Sequence, residues 1–272
     1  MRGAYNKIAS LTPEERNRGV IAHSSGNHAQ GVAYAARALA TRATIVLPST
    51  APEIKVEATR ALGAEIVISG PNSADRIKLA EELAARHHYV MVPPYNDEKI
   101  IAGTGTIGLE IFEDAPDVTL VLVPVSGGGL LSGVATALKL RNPKIRVIGV
   151  EPELAADAQA SLRAGKLVTW DPIQVNRTIC DGLRTTPLGA IPFEHITRYV
   201  DDIVTVTEDE IRKTVKRLLL ESRLLTEPSG AVTSAAWFYH RDQLQIAASG
   251  KTVAVVSGGN IAPAMLKEIL DA

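Results

Sequence analysis

Hydrophobic positions along this chain follow two alternating periods. Short runs rich in β-branched residues (20–22, 43–47 and 65–68) are each followed by a longer segment with apolar residues three and four apart (27–40, 52–62 and 73–87). The first kind suits strands and the second suits helices with one apolar stripe. Their repetition predicts parallel strands joined by crossover helices, and so an αβ subdomain over about residues 19–96. A second series opens with a helix near 97–112. Residues 118–125 are then apolar at nearly every position, as a strand buried on both faces requires. A glycine-rich turn, a helix and a strand at 145–150 follow. From 164 to 200 the pattern weakens, and Pro172, Pro187 and Pro192 predict a long irregular connection. Regular spacing resumes with a strand at 203–206. Thr207 and Glu210 form a capping-box start for a helix to about Leu224. Another helix begins at Pro228, and a buried strand at 252–256 precedes a last helix from Ile261.

Composition narrows the function classes. The chain has 272 residues, 46% of them apolar, which excludes disorder and is enough for one large or two modest cores. Lys and Arg number 29 against 30 Asp and Glu, with no basic run, so neither nucleic acid nor an anionic membrane surface is expected as partner. No apolar stretch reaches the roughly 18 residues that span a bilayer. A single cysteine, Cys180, excludes a disulfide framework and a cysteine metal cage. The expectation is a soluble, cytoplasmic α/β protein acting on a small neutral or zwitterionic ligand.

Four segments carry candidate chemistry. Residues 124–133, PVSGGGLLSG, follow a buried strand and open a helix. There Gly127, Gly128 and Gly129 let the backbone approach an anion closely, with free N–H groups and the helix dipole pointing at it. A dinucleotide loop is a poorer match, because the glycine spacing is not G-x-G-x-x-G and only Glu151 could serve as the acidic residue of that fingerprint. Residues 23–31, HSSGNHAQG, set two hydroxyls and an amide at another helix start, suited to a carboxylate or to simple capping. In 256–260, VSGGN, Ser257 emerges at a strand end. In 151–157, EPELAAD, Glu151 and Asp157 with an intervening carbonyl offer oxygen ligands to a hard divalent cation, or are two solvated carboxylates. Cys180, His87, His88, Trp170 and Trp237 read as structural.

Together and in this order, RGAYNKI at 2–8, SSGNHAQG, IAGTGTIGLE at 101–110, PVSGGGL, VEPELAAD, TEPSGA at 226–231 and VSGGN resemble the fold-type II pyridoxal-phosphate enzymes, most closely the serine racemase and serine/threonine dehydratase branch. The resemblance covers essentially the whole chain. It implies an α/β, tryptophan synthase β-like fold of two domains with mostly parallel twisted sheets and helices on both faces. Residues 19–96 would be the small domain, with 1–18 and 97–272 the large cofactor-binding domain. It further implies that Gly127, Gly128, Gly129 and Leu130 hold the cofactor phosphate. Asn27 would bond the cofactor's 3′-oxygen, and Ser257 would face its pyridine nitrogen. Ser24, Ser25, Gly26, Asn27 and His28 would receive the substrate carboxylate, with Ser25 as acid/base on one face of Cα. Glu151, Ala155 through its carbonyl, and Asp157 would hold Mg2+, or Mn2+ or Ca2+.

The implied activity is dehydration of serine, threonine or another 3-hydroxy amino acid, serine racemisation, or both, in a homodimer. The family motif reads aromatic-Lys-x-Arg-Gly-Ala, and its lysine forms the Schiff base and takes the α-proton. Met1 stands at the x position, so that lysine would lie one residue ahead of it, and the chain is expected to be a fragment without the N-terminal segment. Lys7 would sit about 10 Å further along the same helix, at roughly 1.5 Å per residue, and Lys55 and Lys99 match no motif. The alternative is an inactive cofactor- or amino-acid-binding homologue.

Overall fold

The computed structural model describes every residue except Ser25, Pro52, Pro71 and Asn72. The chain forms two compact units, Met1–Gly103 and Thr104–Ala272.

In the first unit, helices α1 (Arg2–Ala9) and α2 (Pro13–Arg18) lead into β1 (Val20–His23), α3 (Asn27–Ala38), β2 (Ala43–Pro48), α4 (Glu53–Ala61), β3 (Glu65–Ser69), α5 (Ser73–His87) and β4 (Val90–Met91). The four strands lie in the order β3-β2-β1-β4, all parallel. Alternation along the strands fills both faces of the sheet. Val20, Ala22, Ile45 and Leu47 pack with Ile8 and Val32 on one side, while Ile21 and Val46 meet Ala80 of α5 on the other. Each such aliphatic side chain contributes roughly 1.5–3 kcal/mol on leaving water. Residues 1–18 and 97–103 group with this unit, whereas the sequence assigned them to the large domain. Local ties account for the difference. Lys7 Nζ meets Asp97 Oδ2 at 2.7 Å, Asn6 Nδ2 donates to the Lys99 carbonyl at 2.7 Å, and Ile100 joins the core around Ile8.

Helix α6 (Glu98–Asp114) continues into the second unit. There follow β5 (Val118–Pro124), α7 (Gly129–Arg141), β6 (Arg146–Pro152), α8 (Asp157–Ala164), α9 (Pro172–Val175), α10 (Ala190–Tyr199), β7 (Asp202–Val206), α11 (Glu208–Ser222), α12 (Pro228–Tyr239), α13 (Arg241–Leu244), β8 (Lys251–Ala254) and α14 (Pro263–Asp271). The second sheet is also parallel, in the order β7-β6-β5-β8. Val121, Val123, Val147 and Ile203 line one face, and Leu120, Leu122, Ile148, Val150 and Val204 line the other. The parallel α/β architecture expected from the alternating periods is therefore present in both units.

One segment departs from expectation. The connection at 164–200 contains α10, a helix of ten residues with Pro192 in its first turn. Proline is tolerated there because the first N–H groups of a helix have no intrahelical acceptor, so Pro192 does not break the helix. The capping box expected at Thr207 is present: Thr207 Oγ1 accepts from Glu210 N at 3.3 Å and Glu210 Oε2 accepts from Thr207 N at 2.8 Å. Thr207→Ala is expected to cost about 1 kcal/mol, read as a lower urea midpoint at unchanged m-value.

Candidate active site

In the second unit the carboxyl ends of β6, β5 and β8 lie side by side, the edge of a parallel sheet where α/β proteins bind ligands. Three of the expected segments emerge there.

From the middle strand comes the glycine loop. Ser126 Oγ accepts from Thr185 N at 3.2 Å, and the Gly127 carbonyl accepts from Gly189 N at 3.1 Å. Gly128 has φ of 92°, in the left-handed region, and turns the chain into α7. A Cβ there would stand 2.7 Å from Pro192 Cβ and 3.0 Å from Ile196 Cδ1 and Leu188 Cδ2, so the α10 segment closes over the turn. Ser132 Oγ donates to the Pro192 carbonyl at 3.2 Å and fixes α10 against α7. Across α7 lies α6, where Gly108 approaches so closely that a Cβ would sit 2.8 Å from the Val134 carbonyl oxygen. This explains Gly108 of IAGTGTIGLE. Gly127, Gly128 and Gly129 are buried, and among the described residues nothing accepts the N–H groups of 127–130. A buried N–H without an acceptor costs roughly 1–3 kcal/mol, and an anion at this helix start would satisfy several at once. The loop therefore fits the phosphate of pyridoxal phosphate.

Ser257 leaves the sheet beside it and is half-buried. Its loop is tied to the start of α12: Thr226 Oγ1 donates to the Gly258 carbonyl at 3.1 Å, and Asn260 N donates to Glu227 Oε2 at 2.9 Å. Glu227 is only 2% exposed. Sequence reasoning quoted TEPSGA without giving Glu227 a task, since a single acid before a proline has no local signature; the structure makes it the anchor of the Ser257 loop. Glu227→Ala is expected to cost about 2–4 kcal/mol by stranding the Asn260 N–H and opening a buried gap, measured as a drop in thermal midpoint.

Glu151 and Asp157 flank the end of β6 and are 0% and 1% exposed. Glu151 spans the start of α8, its Oε1 accepting from Ala158 N at 3.1 Å and its Oε2 from Gln159 N at 2.9 Å. Asp157 Oδ2 is buried with no partner among the described residues. Burial, and then the neighbouring Asp157 charge, push the Glu151 carboxyl well above its ordinary range. Burial pushes Asp157 up to about 7. Two buried carboxylates, one with an orphaned oxygen, suit a cation. Among the described residues no group of three or more His, Cys, Asp or Glu surrounds them, so a metal would draw on the Ala155 carbonyl and water.

The first unit holds the other expected segment. Ser24 N donates to the Val46 carbonyl at 3.3 Å, and Ser24 Oγ accepts from Gly26 N at 3.3 Å. Gly26 caps α3 without a side chain, which leaves the helix start with Asn27 exposed. Ser25 lies outside the described residues. The His28 ring bonds the Val92 carbonyl through Nε2 at 2.9 Å, and burial lowers its pKa to about 4, so the imidazole is neutral near pH 7. Any contact of His28 with a carboxylate would therefore be made by its backbone N–H. Lys7, held by Asp97, is already committed.

Comparison with known proteins agrees with this arrangement. The sequence profile of the family described as "Pyridoxal-phosphate dependent enzyme" matches residues 1–258. The chain is 45% identical to an L-threonine ammonia-lyase of Thermotoga maritima over 272 residues, covering 100% of itself and 66% of that protein. It is 43% identical to the catabolic L-threonine dehydratase of Escherichia coli over 261 residues, 96% of the chain and 78% of the relative. Among solved structures, the processed form of tomato (Solanum lycopersicum) threonine deaminase isoform 2 superposes with a TM-score of 0.92 at 38% identity, covering 99% of this chain and 78% of that one. Maize serine racemase also gives 0.92, at 37% identity, covering 98% and 80%. By the extent of these matches and by its own phosphate-ready loop, the chain belongs to the pyridoxal-phosphate dependent enzymes, in the branch of the threonine dehydratases and serine racemases.

Proposed function

We propose that this chain is the substrate- and cofactor-binding body of a pyridoxal-phosphate dependent serine/threonine ammonia-lyase, with serine racemisation as the accompanying or alternative outcome. The observation that carries this reading is the run of N–H groups at 127–130, those of Gly127, Gly128 and Gly129 in buried residues, which have no acceptor among the described residues. Gly127, Gly128, Gly129 and Leu130 hold the phosphate through those groups, and Asn27 hydrogen-bonds the 3′-oxygen. Pyridoxal phosphate, when bound, acidifies the α-proton of an amino acid by drawing electron density into its ring. The Ser257 hydroxyl faces the ring nitrogen. A neutral partner leaves that nitrogen less protonated than a carboxylate would, and the weaker electron sink favours elimination and racemisation over transamination.

The α3 start, with Ser24, Gly26, Asn27 and the His28 N–H, receives the substrate α-carboxylate, which the helix dipole favours. Ser25 Oγ gives or takes a proton on one face of Cα; the resemblance puts the opposing lysine one residue ahead of Met1. Loss of the α-proton and the β-hydroxyl as water, followed by hydrolysis of the resulting enamine by water, yields 2-oxobutyrate and ammonia from threonine, and pyruvate and ammonia from serine. Glu151, Asp157 and the Ala155 carbonyl hold Mg2+, or Mn2+ or Ca2+, at the end of β6. No helix among the described residues is long and apolar enough to cross a membrane, and we place the protein in the cytoplasm as a homodimer.

The test measures pyridoxal phosphate binding, and oxo acid and ammonia release from L-serine and L-threonine, for this chain and for one carrying the aromatic-lysine pair ahead of Met1. Cofactor binding by both and turnover by the longer one is the expected result. Binding without turnover in either would leave the inactive cofactor-binding homologue, and no binding would sink both readings.

A further inference from the structure

The glycine loop offers its N–H groups on one side and is held by its carbonyls on the other. A trans peptide unit is planar, so the carbonyl of one residue and the N–H of the next point in opposite directions. Fixing a carbonyl therefore aims the N–H that follows it. Three successive carbonyls of the loop are fixed in this way. That of Gly127 accepts from Gly189 N at 3.1 Å, and that of Gly128 from Ser132 N at 2.9 Å. That of Gly129 accepts from Thr104 Oγ1 at 2.8 Å. The N–H groups so aimed are those of Gly128, Gly129 and Leu130, three of the four that would hold the phosphate.

Two of these donors are backbone groups, and the third is a side-chain hydroxyl delivered by α6. Close packing brings it there. A Cβ at Gly105 would stand 3.2 Å from the Gly133 carbonyl oxygen, and one at Gly108 would stand 2.8 Å from that of Val134, so glycine at both positions lets α6 lie against the first turns of α7. Thr104, half-buried beside that contact, reaches the carbonyl of the first residue of α7. A donor on an amide carbonyl also polarises the peptide unit, which strengthens the N–H at its other end as a donor. We infer that Thr104 is a positioning residue for the cofactor phosphate: its hydroxyl holds and polarises the 129–130 peptide unit so that Leu130 N–H donates to a phosphate oxygen. This role rests on reading 127–130 as the phosphate loop.

The experiment is titration calorimetry of the full chain with pyridoxal phosphate, pyridoxal and inorganic phosphate, for wild type, Thr104→Val, Thr104→Ala and Thr104→Ser. Wild type is expected to bind pyridoxal phosphate at least about tenfold more tightly than pyridoxal. Thr104→Val keeps the side-chain shape and loses the donor. It is expected to weaken pyridoxal phosphate and inorganic phosphate each by about five- to tenfold, while pyridoxal stays within about twofold. Thr104→Ala should behave likewise, and Thr104→Ser should remain within about twofold of wild type for every ligand. Thermal midpoints of the ligand-free variants read packing separately. An unchanged affinity of Thr104→Val for pyridoxal phosphate, an equal loss for pyridoxal phosphate and pyridoxal, or a serine variant as weak as the valine one would overturn the role of Thr104 alone. If wild type binds pyridoxal phosphate no better than pyridoxal, the phosphate-loop reading fails and the role of Thr104 falls with it.

Discussion

Gly128→Ala is expected to lower pyridoxal phosphate affinity by about 100-fold or more. Two costs combine. A residue with a Cβ is disfavoured by about 1–2 kcal/mol in the left-handed conformation that Gly128 adopts, with φ of 92°. The added carbon would also stand 2.7 Å from Pro192 Cβ, in a core already closed by Leu188 and Ile196, and such overpacking costs about 1–3 kcal/mol. The turn can relieve both only by rotating its peptide units, which swings the N–H groups of 128–130 away from a common point. Losing two hydrogen bonds to a charged phosphate, at about 1.5–3 kcal/mol each, corresponds to about 100-fold or more. Fluorescence titration with pyridoxal phosphate reads the affinity, and thermal unfolding of the cofactor-free variant reads the fold. Pro192→Gly provides the control, since it removes the contact at Pro192 Cβ. Combined with Gly128→Ala it is expected to restore part of the affinity, and a failure to restore any would place the defect in the backbone conformation and in the remaining contacts with Ile196 and Leu188.

Asp157→Asn is expected to make the metal-free protein more stable at neutral pH and blind to magnesium. The folded protein holds the Asp157 carboxyl up at about 7 because it is buried, against an ordinary 3.8. Between those values the folded state binds more protons than the unfolded one, so stability falls as pH rises from about 4 to about 7 and levels off above. Glu151, also raised, adds to the same slope. Asparagine does not titrate, so the variant loses the part of the slope that Asp157 causes. Its metal-free melting temperature at pH 8 should exceed that of the wild type by a few degrees, at about 2–4 °C per kcal/mol for a domain near this size. A bound divalent cation competes with those protons. Wild-type stabilisation by magnesium should therefore grow from pH 5 to pH 8, and in Asp157→Asn it should be absent. Calorimetric scans with EDTA or magnesium chloride decide the matter. An equal magnesium response in wild type and variant would remove the site.

Much of this was legible in the chain, for identifiable reasons. The strands at 20–23, 43–48 and 118–124 announce themselves because a sheet buried on both faces needs apolar residues at successive positions, and the crossover helices because burial recurs at three and four. The glycine loop is legible because three adjacent glycines after such a strand have few other uses. Strand β4 escaped notice because two residues carry no period. Helix α10 was hidden by Pro192, whose meaning depends on which turn of the helix it occupies. Glu227 could not be assigned because its partner, Asn260, lies 33 residues away.

By itself the amino-acid sequence determined the α/β class, the parallel strands, the family and the candidate segments, since each of these is written in local periodicity or in short motifs whose chemistry follows from adjacent residues. Only the tertiary structure decided the states of those groups. It closed the α10 segment over Gly128, stranded Asp157 Oδ2 from any partner among the described residues, and neutralised the His28 ring against Val92. Such properties depend on what is excluded from water and what is brought near from distant positions. Desolvation and Coulomb energy are functions of three-dimensional distance, which local spacing along the chain does not contain.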